Sequence, residues 1–338
     1  MSHVELSVVI PAYNRIGPLR TTLRSVQRAI GSFRVEILLV DDGSTPSLAE
    51  QIASLPDLPL IHLRQENQGS IVARSTGLLA AKGDFVLFLD SDDLVPPHKF
   101  SVQLAALRAG NFDLVYGNMA RASLAGDEDE PVFTPSETLA QATEPADFFL
   151  QIQPAPHNPI YRREYLIKHL SQPLVPPERR LDLAGDIWLY YNLCIFPAKI
   201  GRVDTPVAAV GMHEEDRYSR QWEKLGLSAL SVMETFARRC EANAATLAAR
   251  TQVGECAFNS WRRLPRHFNA TYEARLLNLW RNAPKGSTAR LGGKIFQLLA
   301  SLLGAERAAR MLRLRNPSYD RVRTLSAEEY QRVFSTAA

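Results

Sequence analysis

Cysteine is scarce in this sequence, and neither sign of charge is in large excess. Only Cys194, Cys240 and Cys256 occur among 338 residues, and no two of them form a CxxC pair. This pattern disfavours a disulfide framework or a zinc site and favours a reducing compartment. The 39 basic and 36 acidic residues give a net charge of +3, which is too close to neutral to indicate a nucleic-acid-binding protein.

Long hydrophobic runs are absent as well. No stretch approaches the roughly 18 consecutive apolar residues of a membrane span. The first apolar run, in LSVVIP at 6–11, is short and has no basic segment before it, so it predicts a first strand rather than a signal peptide. With 46% hydrophobic and 22% charged residues, the composition is that of a globular protein, and we expect it in the cytoplasm.

The first 120 residues alternate short apolar runs with helical patterns. Strands are predicted at 6–11, 36–42, 59–64, 85–90 and 112–117, and helices at 70–82 and 97–109. Continuous apolar strands separated by helices indicate an α/β fold with a mostly parallel sheet covered on both faces.

The rest of the chain has a different pattern. Residues 121–160 are rich in Pro, Ser, Thr and acidic residues, which predicts a long irregular excursion. A helix is predicted at 183–195, a strand at 199–213, and an almost wholly helical segment from about residue 222. We therefore expect two domains, 1–215 and 216–338, of which the second is a helical C-terminal region.

Polar clusters follow three of the predicted strands: PAYNR at 11–15, DDGSTP at 41–46 and DSDD at 90–93. Ligands of such sheets bind at the carboxyl ends of the strands. Asp90 and Asp92 could approach one Mg²⁺ or Mn²⁺ ion, which takes one or two carboxylates when phosphate oxygens complete its shell. The alternative is that Asp92 or Asp93 caps a helix beginning near Pro96 and Pro97.

Two further features point to a nucleotide at the same edge. Asp41 and Asp42 could accept a hydrogen bond from a base or a ribose, although an ordinary Asp-Gly turn explains them equally well. Arg74 could hold a base or a phosphate, or be a solvated helix arginine. PAYNR lacks the GxGxxG pattern, which disfavours a dinucleotide site.

These motifs together resemble a known family. PAYNR, VDDGST, NQGSIVARSTGLLAAKGDF and FLDSDD, in this order and spacing, look like the GT-A glycosyltransferases of family 2. The resemblance is close over residues 4–120 and looser over 121–215. It implies a GT-A domain that binds a nucleotide sugar, most often a UDP sugar, with Mn²⁺ or Mg²⁺, and that inverts the anomeric carbon.

The resemblance also implies roles for individual residues. Pro11, Ala12 and Tyr13 would line the nucleoside pocket, together with Arg15 and Ser91. Asp42, or Asp41, would contact the base, and Arg74 would lie near it. Asp90 would contact the ribose or the metal, and Asp92 the metal.

Inversion by direct displacement needs a general base for the acceptor hydroxyl. In this family the base is a carboxylate that opens a later helix, often as an acidic pair before an aromatic residue. AGDIW at 184–188 is the best match and makes Asp186 the candidate, although Ala184 and Gly185 stand where an acid often does. Asp182 is the second candidate, and a helix-start acid favoured by the dipole is the alternative explanation of Asp186.

The remaining site predictions rest on the same resemblance. His213, in VGMHEEDRYS, would lie near the diphosphate or the metal, although a structural histidine is the alternative. Arg217 is a weaker candidate for that role. His157, Asn158 and Trp188 are placed on the acceptor side.

The C-terminal region contains a strongly basic segment. Residues 285–323 hold nine Lys or Arg and two acidic residues, a local charge of +7. Its apolar residues at helical spacing are Leu291, Ile295, Leu298, Leu299, Leu302 and Leu303. A basic amphipathic helix can lie on an anionic membrane surface, whereas the alternative is a helix packed on the protein. Homo-oligomer contacts are a further possibility for this region.

The sequence thus favours an inverting glycosyltransferase of bacterial surface glycan synthesis, with a glycan or lipid-linked acceptor. A nucleotidyltransferase would need a glycine-rich basic loop that PAYNR does not provide. A degenerate family member acting as a scaffold would have no need of Asp90, Asp92 and Asp186.

Overall fold

The structure is a computed structural model, and it describes residues 3–52, 58–123, 130–142, 144–211 and 221–335. The chain divides into two compact units, Met1–Glu215 and Asp216–Ala338. No helix within the described ranges is both long and apolar enough to cross a membrane.

The described part of the first unit is built on eight strands. They are β1 Leu6–Ala12, β2 Val35–Asp41, β3 Leu60–Arg64, β4 Phe85–Phe88, β5 Leu114–Ser123, β6 Val132–Glu137, β7 Ile160–Arg162 and β8 Ile200–Val210. Its helices are α1 Ile16–Ile30, α2 Leu48–Ile52, α3 Ser70–Ala80, α4 Lys99–Gly110, α5 Pro145–Asp147, α6 Arg163–Leu170 and α7 Gly185–Leu193. A π-helical turn follows α5, and a 3₁₀ turn at Arg179–Ala184 leads into α7.

The strands form one mixed sheet in the order β3-β2-β1-β4-β7-β5-β6, and β8 pairs with β5. β1 is parallel to β2 and β4, β2 is parallel to β3, and β5 is parallel to β8. β7 runs antiparallel to β4 and β5, and β6 runs antiparallel to β5. The predicted α/β class with a mostly parallel sheet is therefore confirmed.

Helices cover both faces of the parallel part of the sheet. On one face, α1 and α4 pack their apolar residues against alternate residues of β1 and β2 in a single buried cluster. On the other face, α3 packs against β1 and β2. A Cβ built on Gly77 of α3 would lie 2.3 Å from Val9 Cγ1, so the missing side chain allows this close approach. The long, doubly covered strands explain why the sequence pattern is so continuously apolar.

The excursion predicted at 121–160 is less irregular than expected, because it contains β6 and the start of β7. The residues of β6 are mostly exposed, so this strand has no apolar alternation to reveal it. β7 has three residues, which is shorter than any pattern can identify.

The second unit is helical, as expected. Its helices are α8 Trp222–Arg239, α9 Leu247–Arg263, α10 Ala270–Asn282, α11 Lys294–Leu303, α12 Ala305–Arg313 and α13 Ala327–Ser335. Its core is aromatic: Phe258 lies with its ring centroid 4.8 Å from that of Trp280 and 5.6 Å from that of Trp261. These rings join α9 to α10 and give the unit a core of its own.

Candidate active site

The loops that follow β1 and β2 are bonded to each other at the carboxyl edge of the sheet. The backbone N–H of Asn14 donates to Ser44 Oγ at 3.0 Å, and the Thr45 N–H donates to Asn14 Oδ1 at 3.0 Å. Asn14 has a φ of 51°, a conformation that asparagine tolerates better than most residues. This link fixes PAYNR relative to DDGST.

Arg74 lies at the centre of the site. Its side chain is 7% exposed, and its guanidinium donates to Asp90 Oδ1 at 2.5 Å and lies 3.5 Å from Asp186 Oδ1. Although desolvation opposes the charged form, Asp90 and Asp186 raise the pKa of Arg74, so the guanidinium stays charged. Its Nε and Nη1 atoms have no hydrogen-bond partner among the described residues. Buried donors without partners are costly, so this arginine is ready to bind an anionic or carbonyl ligand.

Asp186 lies in the first turn of α7 and faces this arginine. Half of its side chain is exposed, yet the surrounding atoms still desolvate the carboxylate. That desolvation, added to the charges of Asp90 and Asp93, outweighs the attraction of Arg74 and raises the pKa of Asp186 from 3.8 to about 6. A carboxylate with a pKa close to the working pH is suited to accept and return a proton.

Asp182 has a supporting role. Its Oδ1 accepts from Ser70 Oγ at 2.9 Å and from the Ile71 N–H at 3.0 Å, so it satisfies donors at the start of α3. Gly69 makes room for it: this residue has a φ of +94°, and a Cβ there would lie 2.8 Å from Asp182 Cγ. Of the two candidate bases, Asp186 is therefore the one that retains an exposed carboxylate next to Arg74.

The departure of AGDIW from an acidic pair has a structural reason. A Cβ on Gly185 would lie 2.9 Å from Arg74 Nη1. The guanidinium therefore occupies the space that a side chain at position 185 would need.

Asp92 pairs with Arg15, whose Nη1 lies 2.8 Å from Asp92 Oδ2. This contact joins the predicted nucleotide residue of PAYNR to the predicted metal ligand. The side chains of Asp90 and Asp92 are 29% and 28% exposed, so both retain surface toward solvent. No group of three or more His, Cys, Asp or Glu in the described parts of the chain could hold a metal ion. Two carboxylates nevertheless fit a Mg²⁺ or Mn²⁺ ion that binds together with a diphosphate, because phosphate oxygens and water complete its shell.

Asp41 and Asp42 are buried and bonded within the fold. Asp41 accepts from the N–H groups of Ser44 and Leu48 and from Arg64. Although desolvation opposes ionisation, these partners lower the pKa of Asp41. Asp42 accepts from the N–H groups of Gln68 and Gly69 and from Gln65 Nε2. Asp41 has no exposed surface and Asp42 has 4%, so in this structure both carboxylates hold loops of the fold together and neither faces open solvent.

The other predicted nucleoside residues differ in exposure. Pro11 and Ala12 are buried at the end of β1, whereas Tyr13 is 47% exposed and can offer its ring to a base. Ser91 is buried, and its carbonyl accepts from Thr22 Oγ1 at 3.0 Å. The prediction that these residues line a nucleoside pocket stays a prediction.

The three predicted acceptor residues are buried. His157 and Asn158 have no exposed surface and Trp188 has 3%. The Asn158 side chain donates to the Gly117 carbonyl at 2.9 Å and accepts from the Gly117 N–H at 3.0 Å. The Trp188 indole donates to the Val175 carbonyl at 2.8 Å. All three side chains are thus buried within the fold in this structure, and the prediction that they contact the acceptor stays a prediction.

Asp93 does not cap α4, which was the alternative explanation of this acid. α4 begins at Lys99 after His98, which makes no capping bond through its side chain. Asp93 instead accepts from the Gly211 N–H at 3.0 Å, and its Oδ2 lies 2.9 Å from His157 Nδ1. Asp93 thus ties the end of β8 and the loop before β7 to the DSDD segment. His213 and Arg217 lie outside the described residues.

Several residues of the site had no clear signal in the sequence. Gly185 and Gly69 matter because of the atoms that approach them across the fold. Lys99 is fully buried and donates to Gln103 Oε1 and to the Asn158 carbonyl, and burial lowers its pKa well below the usual value. A lysine in the first turn of a helix is ordinarily a surface residue, so no pattern identifies it.

The chain is similar in sequence to known proteins. Residues 7–170 match the family described as Glycosyl transferase family 2. The putative glycosyltransferase EpsH of Bacillus subtilis is 28% identical over 251 residues, which are 70% of each chain. A relative from Escherichia coli, named UDP-Glc:alpha-D-GlcNAc-diphosphoundecaprenol beta-1,3-glucosyltransferase WfgD, is 30% identical over 114 residues, which are 33% of this chain and 45% of WfgD.

The fold is also found among solved structures. S. aureus TarS 1-349 in complex with UDP-GlcNAc superposes with a TM-score of 0.62 at 17% identity, covering 96% of this chain and 93% of that chain. At this identity the similarity defines the fold, which is GT-A. Residues 7–170 thus belong to glycosyl transferase family 2, and the protein is a glycosyltransferase.

Replacing Asn158 tests its structural assignment. Asn158→Ala removes the two hydrogen bonds that this side chain makes to the Gly117 backbone, and unsatisfied buried groups cost about 1–3 kcal/mol each. We expect the free energy of unfolding to fall by about 2 kcal/mol or more, measured by urea denaturation followed by circular dichroism. Gln27→Ala, at an exposed position of α1, is the control and should stay within about 0.5 kcal/mol of the parent. Unchanged stability with a raised KM for the acceptor would instead support an acceptor role for Asn158.

Proposed function

We propose that this protein is an inverting glycosyltransferase that moves a sugar from a UDP sugar to a hydroxyl of a glycan or lipid-linked acceptor in bacterial surface polysaccharide synthesis. One observation carries the proposal. Arg74 joins Asp90 of the DSDD segment to Asp186 of α7, so a donor-binding motif and an exposed carboxylate of raised pKa share one site. Such a pair is what direct displacement at an anomeric carbon requires.

The donor side consists of groups suited to a nucleoside diphosphate. Tyr13 exposes its ring beside the strand ends, and Arg74 has unpartnered donors. Arg15, which pairs with Asp92, can turn to a phosphate when the pair opens. The TarS structure with UDP-GlcNAc bound in the same fold supports a UDP sugar as the donor.

The acceptor side is Asp186. Its carboxylate takes the proton of the incoming hydroxyl while the sugar's anomeric carbon forms a new bond to that oxygen and loses its bond to the diphosphate. Arg74 holds the Asp186 carboxylate in place and keeps part of its charge compensated. The attack comes from the face opposite the leaving group, so the configuration inverts.

Asp90 and Asp92 would hold a divalent cation, Mg²⁺ or Mn²⁺. When bound, the ion neutralises charge on the departing diphosphate. His213 belongs to the same proposal as a ligand or a diphosphate contact.

The lipid-linked class of acceptor is supported by WfgD, whose name specifies a diphosphoundecaprenol-linked substrate. An enzyme with such an acceptor works at the inner face of the cytoplasmic membrane. We assign the transfer reaction to residues 1–215, and acceptor, membrane-surface or oligomer contacts to residues 216–338.

The role of Asp186 is tested by the isosteric change Asp186→Asn. An amide cannot accept the proton, so we expect transfer to fall by roughly 10³-fold or more, while the Kd for the UDP sugar changes by less than about threefold. Transfer is measured as UDP release with acceptor present, and the Kd by calorimetry. Glu164→Gln, in the first turn of α6, is the matched control. Transfer close to the parental rate would exclude Asp186 as the base.

The metal proposal is tested by Asp92→Asn. Loss of a ligand carboxylate should weaken UDP binding about tenfold or more when Mn²⁺ is present. Without metal, affinity should be unchanged or higher, because Arg15 is released to bind phosphate. Calorimetry with and without Mn²⁺ measures both, and Asp84→Asn, an exposed acid paired with His3, is the control. Equal affinities of parent and Asp92→Asn with Mn²⁺ would refute a metal role for Asp92.

The pH profile follows from the pKa of Asp186. Because that pKa is raised to about 6, the base is protonated, and so inactive, below this value. We expect kcat/KM to rise as pH increases through about 6 and to fall about tenfold per unit well below it. A profile that stays flat from pH 5 to 7 would contradict the assignment.

A further inference from the structure

The helices α11 and α12 expose an unusual amount of apolar surface. Ile295, Leu298 and Leu302 of α11 are 69%, 65% and 74% exposed, and Met311 and Leu314, at the end of α12, are 52% and 69% exposed. We call these five residues the apolar face. Among the described residues thirteen large hydrophobic side chains are exposed, and these five together with Leu303 make up nearly half of them within 20 positions.

This face is not the side by which the two helices pack on the protein. In α11 the buried residues are Phe296 and Ala300, and in α12 they are Ala308 and Ala309. The Phe296 ring lies 6.0 Å from that of Phe258 in α9, with Arg262 5.3 Å above it. Ile295, Leu298 and Leu302 follow one another at spacings of three and four residues, so they form one stripe pointing away from this core. The two helices thus do pack on the protein, as the alternative interpretation of this segment held, but they do so through residues other than the apolar face.

Cations lie next to residues of the apolar face in the sequence. Lys294, Arg307 and Arg315 are exposed and have no ion-pair partner in the described parts of the chain. Lys294 precedes Ile295, Arg307 lies one turn before Met311, and Arg315 follows Leu314. The acidic residue of α12, Glu306, is already paired with Arg281 at 2.7 Å. The charge available at this surface is therefore positive.

We propose that the apolar face is a docking surface for an anionic phospholipid membrane. Its leucines enter the boundary between headgroups and acyl chains, and Lys294, Arg307 and Arg315 contact lipid phosphates. A second copy of the chain is a poorer occupant, because a twofold contact through this face would bring two segments of charge +7 together. The proposal does not depend on the transfer reaction, since its test measures binding.

The test is co-sedimentation of the full chain with vesicles. We expect binding to vesicles containing phosphatidylglycerol, weaker binding as salt increases, and little binding to pure phosphatidylcholine. Leu298→Gln combined with Leu302→Gln should lower the partition coefficient about tenfold or more. Lys294→Gln combined with Arg307→Gln should lower the partition coefficient by about fivefold for each cation removed. This loss should appear with anionic vesicles and not with neutral ones. Leu247→Gln, at an exposed leucine of α9, should bind as the parent does.

Because the substituted leucines are exposed, thermal unfolding should show the same transition as the parent. Failure of the parent to pellet with anionic vesicles would overturn the proposal, as would equal pelleting of the Leu298/Leu302 variant. A parent that is dimeric by light scattering and becomes monomeric in that variant would instead assign the face to a second copy. UDP release measured on the same samples shows whether a variant has also lost the transfer reaction. A failure of membrane binding can therefore be told apart from a failure of the proposed function.

Discussion

The structure depends on one buried guanidinium. Arg74 is held inside the protein by two carboxylates, Asp90 at 2.5 Å and Asp186 at 3.5 Å, and a charge buried in this way is stable only while its partners stay in place. The segment that follows β4 and the first turn of α7 are far apart in sequence. Their contacts with Arg74 fix both of them to one point on α3. The same contact defines what the site can do, because it sets a motif suited to a diphosphate beside a carboxylate suited to take a proton.

Much of the surrounding fold serves to place this arginine. Asp42 accepts from the N–H groups of Gln68 and Gly69 just before α3, and Asp182 accepts from Ser70 and Ile71 at its start. Both acids therefore fix the position of the helix that carries Arg74. Gly185 leaves the space that the guanidinium fills. The acidic residues of these motifs therefore have two kinds of role. Asp42 and Asp182 support the helix that carries Arg74, whereas Asp90 and Asp186 contact Arg74 itself.

The sequence predicted the parallel strands and the polar strand ends well, because buried strands must be continuously apolar and turns must be polar. It also proposed Arg74, Asp90, Asp92 and Asp186 as site residues. The structure brings them to one edge of the sheet, and their roles stay predictions. It could not predict contacts such as Asp93 with Gly211, which are 118 residues apart. Strand β6 was missed because its exposed residues show no alternation. The burial of His157, Asn158 and Trp188 was not foreseen, because burial depends on the packed fold.

The most direct test of this account is a crystal structure of the protein with Mn²⁺ and a non-transferable UDP-sugar analogue. The account predicts that the diphosphate lies against Asp90 and Asp92, that Arg74 still joins Asp90 to Asp186, and that the anomeric carbon faces the Asp186 carboxylate. A nucleotide bound elsewhere, or an anomeric carbon on the side away from Asp186, would contradict it.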